Sequence, residues 1–381
     1  MPRGPFILEL DGISFDDAAA ALSEEPGFVC IDARGAPPAM ARHSIISANP
    51  VSAFSMAGGF ITVDGHTTID TPHDAIARFC ARVDRWLADP YIPFNCGVIG
   101  YIGFEAASAL RGLAPAEGFS RHPQCRLGIY GAAVIYDNLE KTAIVVGGGE
   151  DRSEARRRAY ILHDMVASAV GGTRPKPGSV ESSGVRMTPD EAEFRRTVEM
   201  ARSWIRSDIA ERIHVVRHAE APFTCTSPVA AFLAEEKFGG VRALVGHEGA
   251  SFAFSSTDSL INVEGGALRS NINVEMEVEP AAGVLRDEIA SSFKSICEDG
   301  ESTARTAGNR LDLEGVLECG LLPIDAVIGM MPSHAATGTP YGKALSFIGQ
   351  SEELHRAFYG GSFGTIDALR CTFRTIERVS T

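Results

Sequence analysis

The chain has 381 residues, enough for one large domain or two, and 45% of them are hydrophobic, which supports a substantial core. Its formal net charge is −14, from 49 acidic and 35 basic side chains. A strongly acidic surface repels nucleic acid and anionic membranes, so neither is expected as a partner. An anionic ligand would therefore need a locally positive pocket.

The N-terminal segment MPRGPFILELDG lacks the apolar stretch of a secretion signal. No apolar run reaches the roughly 18 residues of a membrane span. We therefore expect a cytoplasmic protein. The eight cysteines are scattered without a Cys-x-x-Cys pair. That pattern favours reduced, mostly buried thiols over a zinc site or disulfides.

The first half alternates apolar, strand-like runs with turns, at residues 28–33, 58–65, 97–104 and 142–148. Apolar side chains recurring on one stripe predict a helix at 73–89, and a second helix is predicted at 151–170. A Gly-, Pro- and Ser-rich stretch at 171–184 then breaks the periodicity, which is typical of a linker. We accordingly divide the chain into a sheet-rich part at 1–172, a linker at 173–187 and a second half at 188–381.

The second half opens with a helix-start signal at Thr188–Glu191, where a capping box predicts Pro189 at the first helical position. The helical stripe then continues to about residue 209. One continuous strand is predicted at 212–223, with Glu211 and Arg217 on the same face by alternation. Further strands are predicted at 251–257, 259–265 and 271–280, and helices at 287–298, 322–331, 340–349 and 351–357. Because strands and helices do not alternate one for one, the pattern predicts an α+β fold of mainly antiparallel sheets.

The segment PSHAATGTPYGKA, residues 332–344, has the composition of a ligand-binding loop. Gly338 frees the backbone, and Thr337 offers a hydroxyl. Tyr341 stands where such a loop would meet its ligand. These residues are candidates for a site, and the segment alone does not say whether it performs chemistry.

Five segments, in order, resemble the chorismate-utilising enzymes, in particular the large subunit of anthranilate synthase and aminodeoxychorismate synthase. They are residues 93–107, 194–223, 278–284, 313–348 and 356–375. The resemblance implies two large, mainly antiparallel sheets packed face to face with helices outside, and a ligand site in the second half. It also implies that the family's C-terminal strand and helix are missing here.

The resemblance implies a clamp for a ligand carboxylate. In the family an arginine, a tyrosine and glycine N–H groups hold one substrate carboxylate, and Arg374, Tyr359, Gly360 and Gly361 match those positions. Arginine forks and unobstructed backbone donors suit a carboxylate. Arg217 also matches a family arginine. The alternative left open is that Tyr359 packs and Arg374 pairs with a local acid.

The resemblance also indicates what has been lost. Family members bind Mg²⁺ through acidic side chains, and only Glu298 remains here as a remnant ligand. Because Mg²⁺ requires near-octahedral oxygen ligation, we predict no tightly bound Mg²⁺ and no other cofactor. Glu211 and Asp258 occupy proton-transfer positions and can act as acid and base if burial separates their pKa values. The alternative is that both are solvated turn residues.

The loop at 332–344 departs from the family at two positions. His334 replaces a glycine and Tyr341 replaces a lysine, so both become catalytic candidates, although a lone histidine is more often a packed or surface residue. Ala282 stands where aminodeoxychorismate synthases carry a nucleophilic lysine, so the covalent route is absent.

Three functions remain open from the sequence. The first is a Mg²⁺-independent enzyme of specialised metabolism acting on chorismate or a related small carboxylate. The second is an inactive family member that serves as a ligand-binding or accessory subunit, with a homo-oligomer or another protein as partner. The third is an ordinary anthranilate or aminodeoxychorismate synthase large subunit, which the substitutions disfavour.

Overall fold

The computed structural model describes residues 4–112, 122–169, 184–221, 227–235, 239–247, 249–274, 281–352 and 356–380. Within these ranges the chain forms two large β-sheets and two short ladders. Every strand pair is antiparallel. The predicted linker lies mostly outside the described residues.

The first sheet has eight strands, numbered here along the whole chain, in the order β1-β10-β9-β3-β2-β14-β15-β23. They are β1 Phe6–Glu9, β2 Val29–Asp32, β3 His43–Ser47, β9 Ala132–Asp137, β10 Thr142–Gly147, β14 Val241–His247, β15 Ala250–Ser256 and β23 Arg378–Ser380. The sheet therefore takes strands from both halves of the sequence.

The second sheet has eleven strands in the order β18-β19-β17-β16-β22-β21-β7-β8-β4-β5-β6. They are β4 Ser52–Ala57, β5 Phe60–Val63, β6 His66–Thr68, β7 Gly97–Ile102, β8 Cys125–Tyr130, β16 Ser259–Glu264, β17 Ala267–Asn273, β18 Cys297–Ala307, β19 Arg310–Leu317, β21 Ser362–Ile366 and β22 Arg370–Thr375. The strand predicted at 271–280 begins earlier in the structure, as β17, which ends at Asn273. Residues 275–280 lie outside the described ranges.

The strand predicted at 212–223 is wrong. Its described part contains two short strands, β12 Arg212–Ile213 and β13 His218–Glu220, separated by irregular chain. β12 pairs with β20 Gly338–Thr339, whereas β13 pairs with β11 Arg186–Thr188. Glu211 and Arg217 therefore do not share a strand face.

Ten helices occur in the described ranges. They are α1 Phe15–Leu22, α2 Pro72–Cys80, α3 Phe104–Leu110, α4 Arg152–Ala169, α5 Glu191–Arg206, α6 Pro228–Ala234, α7 Ala281–Lys294, α8 Pro323–Gly329, α9 His334–Thr337 and α10 Tyr341–Ser351. None of them is both long enough and apolar enough to cross a membrane.

Several helix boundaries differ from the prediction. The helix predicted at 73–89 ends at Cys80 and continues only as a 3₁₀ turn, Ala81–Val83. The cap of α5 is Asp190 rather than Thr188, and Asp190 and Glu193 form the capping box. α7 begins and ends earlier than the helix predicted at 287–298. The predicted helix at 351–357 falls partly on residues 353–355, which lie outside the description.

The two sheets pack face to face across an aromatic core. Tyr101 of the second sheet lies 5.3 Å from Phe254 of the first sheet, ring centroid to ring centroid, and 5.1 Å from Phe358. The outer face of the first sheet is covered by α1, α4 and α6, and that of the second by α2, α7 and α8. The predicted fold class, antiparallel sheets with helices outside, is therefore confirmed.

Candidate functional site

A cavity of about 390 Å³ opens in the second half of the chain, where β12, α9, the β15–β16 turn and the β22–β23 connection meet. We call it the charged cavity. Its polar lining side chains are Arg212, His214, Thr257, Asp258, Asn273, Ser333, Tyr359, Thr375, Glu377 and Arg378. It therefore brings cations, carboxyls and hydroxyls to one place.

Arg212 lines the charged cavity and carries a buried donor without a partner in the described part of the chain. It enters from β12, whose ladder with β20 holds its backbone opposite Thr339. The Arg212 Nη1 atom is buried and has no hydrogen-bond partner among the described residues. Thr375 is 3% exposed, and its Oγ1 likewise has no partner in the described part of the chain. Because buried donors without acceptors are costly, these two atoms are the candidates in the cavity for contact with a ligand.

His214 and Tyr359 form a hydrogen-bonded pair on the cavity wall. The Tyr359 hydroxyl lies 2.9 Å from His214 Nε2. Burial lowers the pKa of His214 to about 4, so its imidazole is neutral at pH 7, and burial raises the pKa of Tyr359. At pH 7 both side chains of this pair are therefore uncharged, and they can donate or accept hydrogen bonds in that form.

Buried Arg356 holds the His214 segment in place. Its guanidinium donates to the backbone carbonyl of His214 and, at 2.5 Å, to that of Ala336. The same guanidinium pairs with Glu352, and their side chains are 1% and 8% exposed. Arg356 therefore positions two segments that line the charged cavity without reaching into it.

Asp258 and Glu377 form the acidic side of the charged cavity. Asp258 Oδ1 accepts the Asn273 N–H at 2.8 Å, and Glu377 Oε2 accepts the Thr257 N–H at 3.0 Å. Burial and then the charge of Glu377 raise the pKa of Asp258 to about 7, and burial raises the pKa of Glu377. Asp258 is 3% exposed, so it is not the solvated turn residue left as an alternative.

The predicted carboxylate clamp requires correction. Arg374 is buried, does not line the charged cavity, and donates to the carbonyls of Asp258 at 3.2 Å and Met40 at 3.0 Å. The Gly360 N–H donates to Ile376 O at 3.0 Å and the Gly361 N–H to Phe358 O at 2.9 Å. Of the four residues, only Tyr359 lines the cavity. The role of Gly360 is conformational, with a φ of 78° and no room for a Cβ beside Ala336.

His334 and Tyr341 form a separate, packed pair. His334 is 4% exposed, its Nε2 lies 3.1 Å from Ser292 Oγ, and its ring stacks on Tyr341 at 4.0 Å. The Tyr341 hydroxyl donates to Pro332 O at 3.0 Å. Burial lowers the pKa of His334 to about 3 and raises that of Tyr341 to about 12. Neither lines the charged cavity, so the packed alternative describes His334.

The other predicted residues support the wall or lie outside it. Glu211 is exposed, and its backbone N–H donates to Thr339 O. Thr337 Oγ1 donates to Ser333 O at 2.8 Å, and Gly338, with a φ of 136°, pairs with Ile213. Arg217 donates to Pro189 O at 2.9 Å and is absent from the cavity lining. None of these four side chains lines the charged cavity.

The described side chains do not fit a Mg²⁺ site. Glu298, the predicted remnant ligand, is exposed on β18, an edge strand rather than a helix. In the described ranges, no three His, Cys, Asp or Glu side chains are grouped to hold a metal ion. Mg²⁺ binding needs several oxygen ligands in near-octahedral geometry.

A larger groove of about 500 Å³ lies elsewhere, over the hairpins β16–β19. Two of its arginines face acids directly across the ladder, Arg269 opposite Glu314 and Arg305 opposite Asp312. Opposite charges at cross-strand positions balance each other. The groove is therefore a weaker ligand-site candidate than the charged cavity.

Three residues that line the cavity, Arg212, His214 and Glu377, were not predicted from the sequence. The predicted strand at 212–223 placed Glu211 and Arg217 on one face, whereas Arg212 and His214 alternate with them. Glu377 follows Arg374 by three residues, just beyond the last segment used for the resemblance. The same alternation, taken in the other phase, marks Arg212 and His214 as a second polar face.

Comparison with known proteins defines the class. A family model described as chorismate binding enzyme matches residues 41–272, more than half of the chain. The chain is 20% identical to anthranilate synthase component 1 3 of Haloarcula marismortui, over 80% of this chain and 70% of that protein. It is also 20% identical to anthranilate synthase component 1 of Lactococcus lactis, over 85% of this chain and 79% of that protein.

A solved structure shows the same architecture. Anthranilate synthase component I of Streptococcus pneumoniae superimposes with a TM-score of 0.71 at 19% identity, covering 89% of this chain and 84% of that one. Such low identity demonstrates the fold alone. The match to the family model shows more: the protein belongs to the chorismate binding enzyme family, as its sequence predicts.

Proposed function

We propose that the protein binds chorismate or a related small carboxylate in the charged cavity and transforms it without Mg²⁺. The observation that carries the proposal is the buried Arg212 Nη1, which lacks a partner among the described residues beside an open cavity. A ligand carboxylate supplies the missing acceptor through a charge-assisted hydrogen bond. Family membership supports a chorismate-like ligand.

Six of the ten polar side chains that line the cavity then have a role. Arg212 holds the carboxylate, and Thr375 Oγ1 adds a second hydrogen bond. Asp258, with a pKa of about 7, is present in both protonation states near neutral pH and so can give or take a proton. The neutral His214–Tyr359 pair offers a second proton-transfer group on the wall. Glu377 helps to keep the pKa of Asp258 high.

The size of the charged cavity suits this ligand class. Its volume of about 390 Å³ lies at the lower end of the range for small-molecule sites, which is roughly 300–1,000 Å³. A substituted six-membered ring fits that volume. Specialised metabolism in the cytoplasm is the setting that we propose for such a departure from the family.

A second candidate is a ligand-binding or accessory subunit. The relatives named above are called component 1, which describes one part of an assembly. In this chain, Met200 and Ile205 of α5 are 45% and 38% exposed, and neighbouring Ile209 is 40% exposed. Exposed apolar side chains are a feature of partner surfaces, and they are the observation behind this second candidate.

The test uses purified protein and chorismate. Binding is measured by calorimetry and turnover by mass spectrometry, with Mg²⁺ and with EDTA. We expect turnover in both conditions, its loss in Arg212→Met, and its retention in Arg217→Met, a matched arginine variant outside the cavity. Binding without turnover favours the accessory candidate. Absence of both binding and turnover of chorismate and related carboxylates overturns the proposal.

A further inference from the structure

The edge strands of the two large sheets differ in length. Three of the four are short: β1 and β23 of the first sheet have four and three residues, and β6 of the second has three. The fourth, β18, has eleven, and within the described ranges no strand pairs with its outer side. Short strands are one way in which proteins blunt a sheet edge, because unpaired N–H and C=O groups accept another strand. β18 is therefore the edge that stays open to a further strand.

The sequence of β18 does not close this edge. The segment CEDGESTARTA, residues 297–307, contains neither proline nor lysine, two residues that commonly protect an edge. The register with β19 shifts between Cys297 and Ser302, but from Ser302 to Ala307 every residue pairs with β19 without interruption. Residues 303–307 are exposed. A regular ladder of six residues is thus available for pairing on its other side.

The two faces of β18 have different surroundings. Ala304 lies opposite Leu313 of β19, which is buried in the core. By alternation, Glu301, Thr303 and Arg305 share the other face, where Thr303 and Arg305 line the groove over the hairpins β16–β19. All three are exposed. This face therefore carries an acid and a base four residues apart, with a threonine midway between them.

That spacing is self-complementary in an antiparallel pair. A two-fold axis beside Thr303 places this residue opposite its own copy, and places Glu301 and Arg305 opposite Arg305 and Glu301 of the second copy. Threonine pairs and opposite charges at facing positions stabilise neighbouring strands. Arg305 already faces Asp312 of β19. The signs therefore alternate along the row, from Asp312 to Arg305 to Glu301 of the second copy.

Other registers lose this match. An axis beside Ala304 places Arg305 opposite Thr303, and an axis beside Arg305 places it opposite its own copy, where like charges repel. An axis beside Ser302 pairs Arg305 only with Asp299, which lies in the irregular part of the strand. The register centred on Thr303 is therefore the one that the charges favour.

We propose that β18 is an interface for a second copy of this chain, which adds its own β18 antiparallel about a two-fold axis beside Thr303. Backbone hydrogen bonds then join the two eleven-stranded sheets, as in other cases of strand addition. Glu301 and Arg305 fix the register. This inference concerns assembly and does not rest on the ligand proposed for the charged cavity.

Charge reversal tests the interface and its register together. Sedimentation velocity of the full chain over a concentration series gives the dimer dissociation constant. Glu301→Arg makes both facing charge pairs repulsive, and so does Arg305→Glu. We expect each variant to raise the dissociation constant about tenfold or more. Glu9→Arg, the same reversal at an exposed acid on edge strand β1, is the control and should leave the constant unchanged.

A mixture of the two single variants tests the register directly. One copy then carries two arginines at these positions and the other carries two glutamates, so every facing pair is attractive again. We expect an equimolar mixture to form a one-to-one heterodimer whose dissociation constant is within about fivefold of that of the unaltered protein. A variant that had merely lost its fold would not recover on mixing.

Weakening in both single variants, with recovery in the mixture, supports the interface. A monomer throughout the concentration series overturns it, and so does a dimer whose dissociation constant is unchanged in either single variant. Single variants that stay weak when mixed also overturn it, because the facing positions are then different ones. None of these results bears on chorismate binding, which the ligand test measures separately.

Discussion

The charged cavity and the packed His334–Tyr341 pair are adjacent in the chain but opposite in character. Ser333, Ala335 and Ala336 line the cavity, whereas His334 between them lies against Ser292 and Tyr341. The cavity retains buried donors that have no partner among the described residues, whereas His334 Nε2 and the Tyr341 hydroxyl are hydrogen-bonded. A buried polar group without a hydrogen-bond partner needs an explanation, and a ligand is one. Such groups do not always lie where a sequence departs most from its relatives.

The first test of this contrast replaces Arg356, which positions two segments that line the charged cavity. In Arg356→Met, Glu352 becomes a buried charge without its partner, so we expect the free energy of unfolding to fall by about 3–5 kcal/mol. Urea denaturation measures it. The double variant Arg356→Met, Glu352→Gln is the control and should recover part of the loss. A loss below about 1 kcal/mol would contradict the positioning role.

The second test compares the pH dependence of stability in the two regions. The pKa of Asp258 is raised to about 7, so its stabilising contribution is full below about pH 4 and is lost as the pH rises to 7. Asp258→Asn should therefore stabilise the protein at pH 7, by at most about 4 kcal/mol. This gain should shrink towards pH 4.

The packed pair should show the reverse sign. The pKa of His334 is lowered to about 3, so its contribution is full above about pH 6.5 and is lost as the pH falls. The stability difference between the unaltered protein and His334→Asn should therefore decrease by at most about 3 kcal/mol from pH 7 to pH 4. Denaturation series across this range measure both variants. If the stability changes of Asp258→Asn and His334→Asn varied with pH in the same direction, the contrast would be refuted.

The third test concerns Arg212, whose Nη1 has no hydrogen-bond partner among the described residues. Arg212→Met should weaken the binding of chorismate by about tenfold or more, because a charge-assisted hydrogen bond contributes about 1.5–3 kcal/mol. The free energy of unfolding should not fall, since no described partner of Nη1 is lost. Arg217→Met provides the matched control, because it loses its bond to Pro189 and its contact with Phe194. Equal destabilisation in both variants would argue against a ligand-directed Arg212.

The smallest effect is expected in the packed pair. Tyr341→Phe removes the hydrogen bond to the Pro332 carbonyl and should cost about 1 kcal/mol of stability. The affinity for chorismate should change less than twofold, because Tyr341 does not line the charged cavity. Chemical denaturation and calorimetry check the two halves of this prediction. A larger affinity change would place Tyr341 back in the site.

Much of the fold was predictable because its signals are local. The apolar runs at 28–33, 97–104 and 142–148 became β2, β7 and β10, and the helix predicted at 151–170 is α4. Period-2 and period-3.6 patterns report which face of an element is buried. The continuous strand at 212–223 failed because its two ends pair with different partners, Thr339 and Thr188, which local alternation cannot reveal.

The sequence by itself determined the family, the antiparallel architecture and the segments from which the site is built. Only the tertiary structure decided which polar groups of those segments remain available to a ligand. Arg374 and the N–H groups of Gly360 and Gly361 donate to backbone carbonyls, some of them over 100 residues away, whereas Arg212 Nη1 has no partner in the part of the chain that the structure describes. Long-range packing assigns hydrogen-bond partners, and the side-chain types of a motif do not encode those assignments.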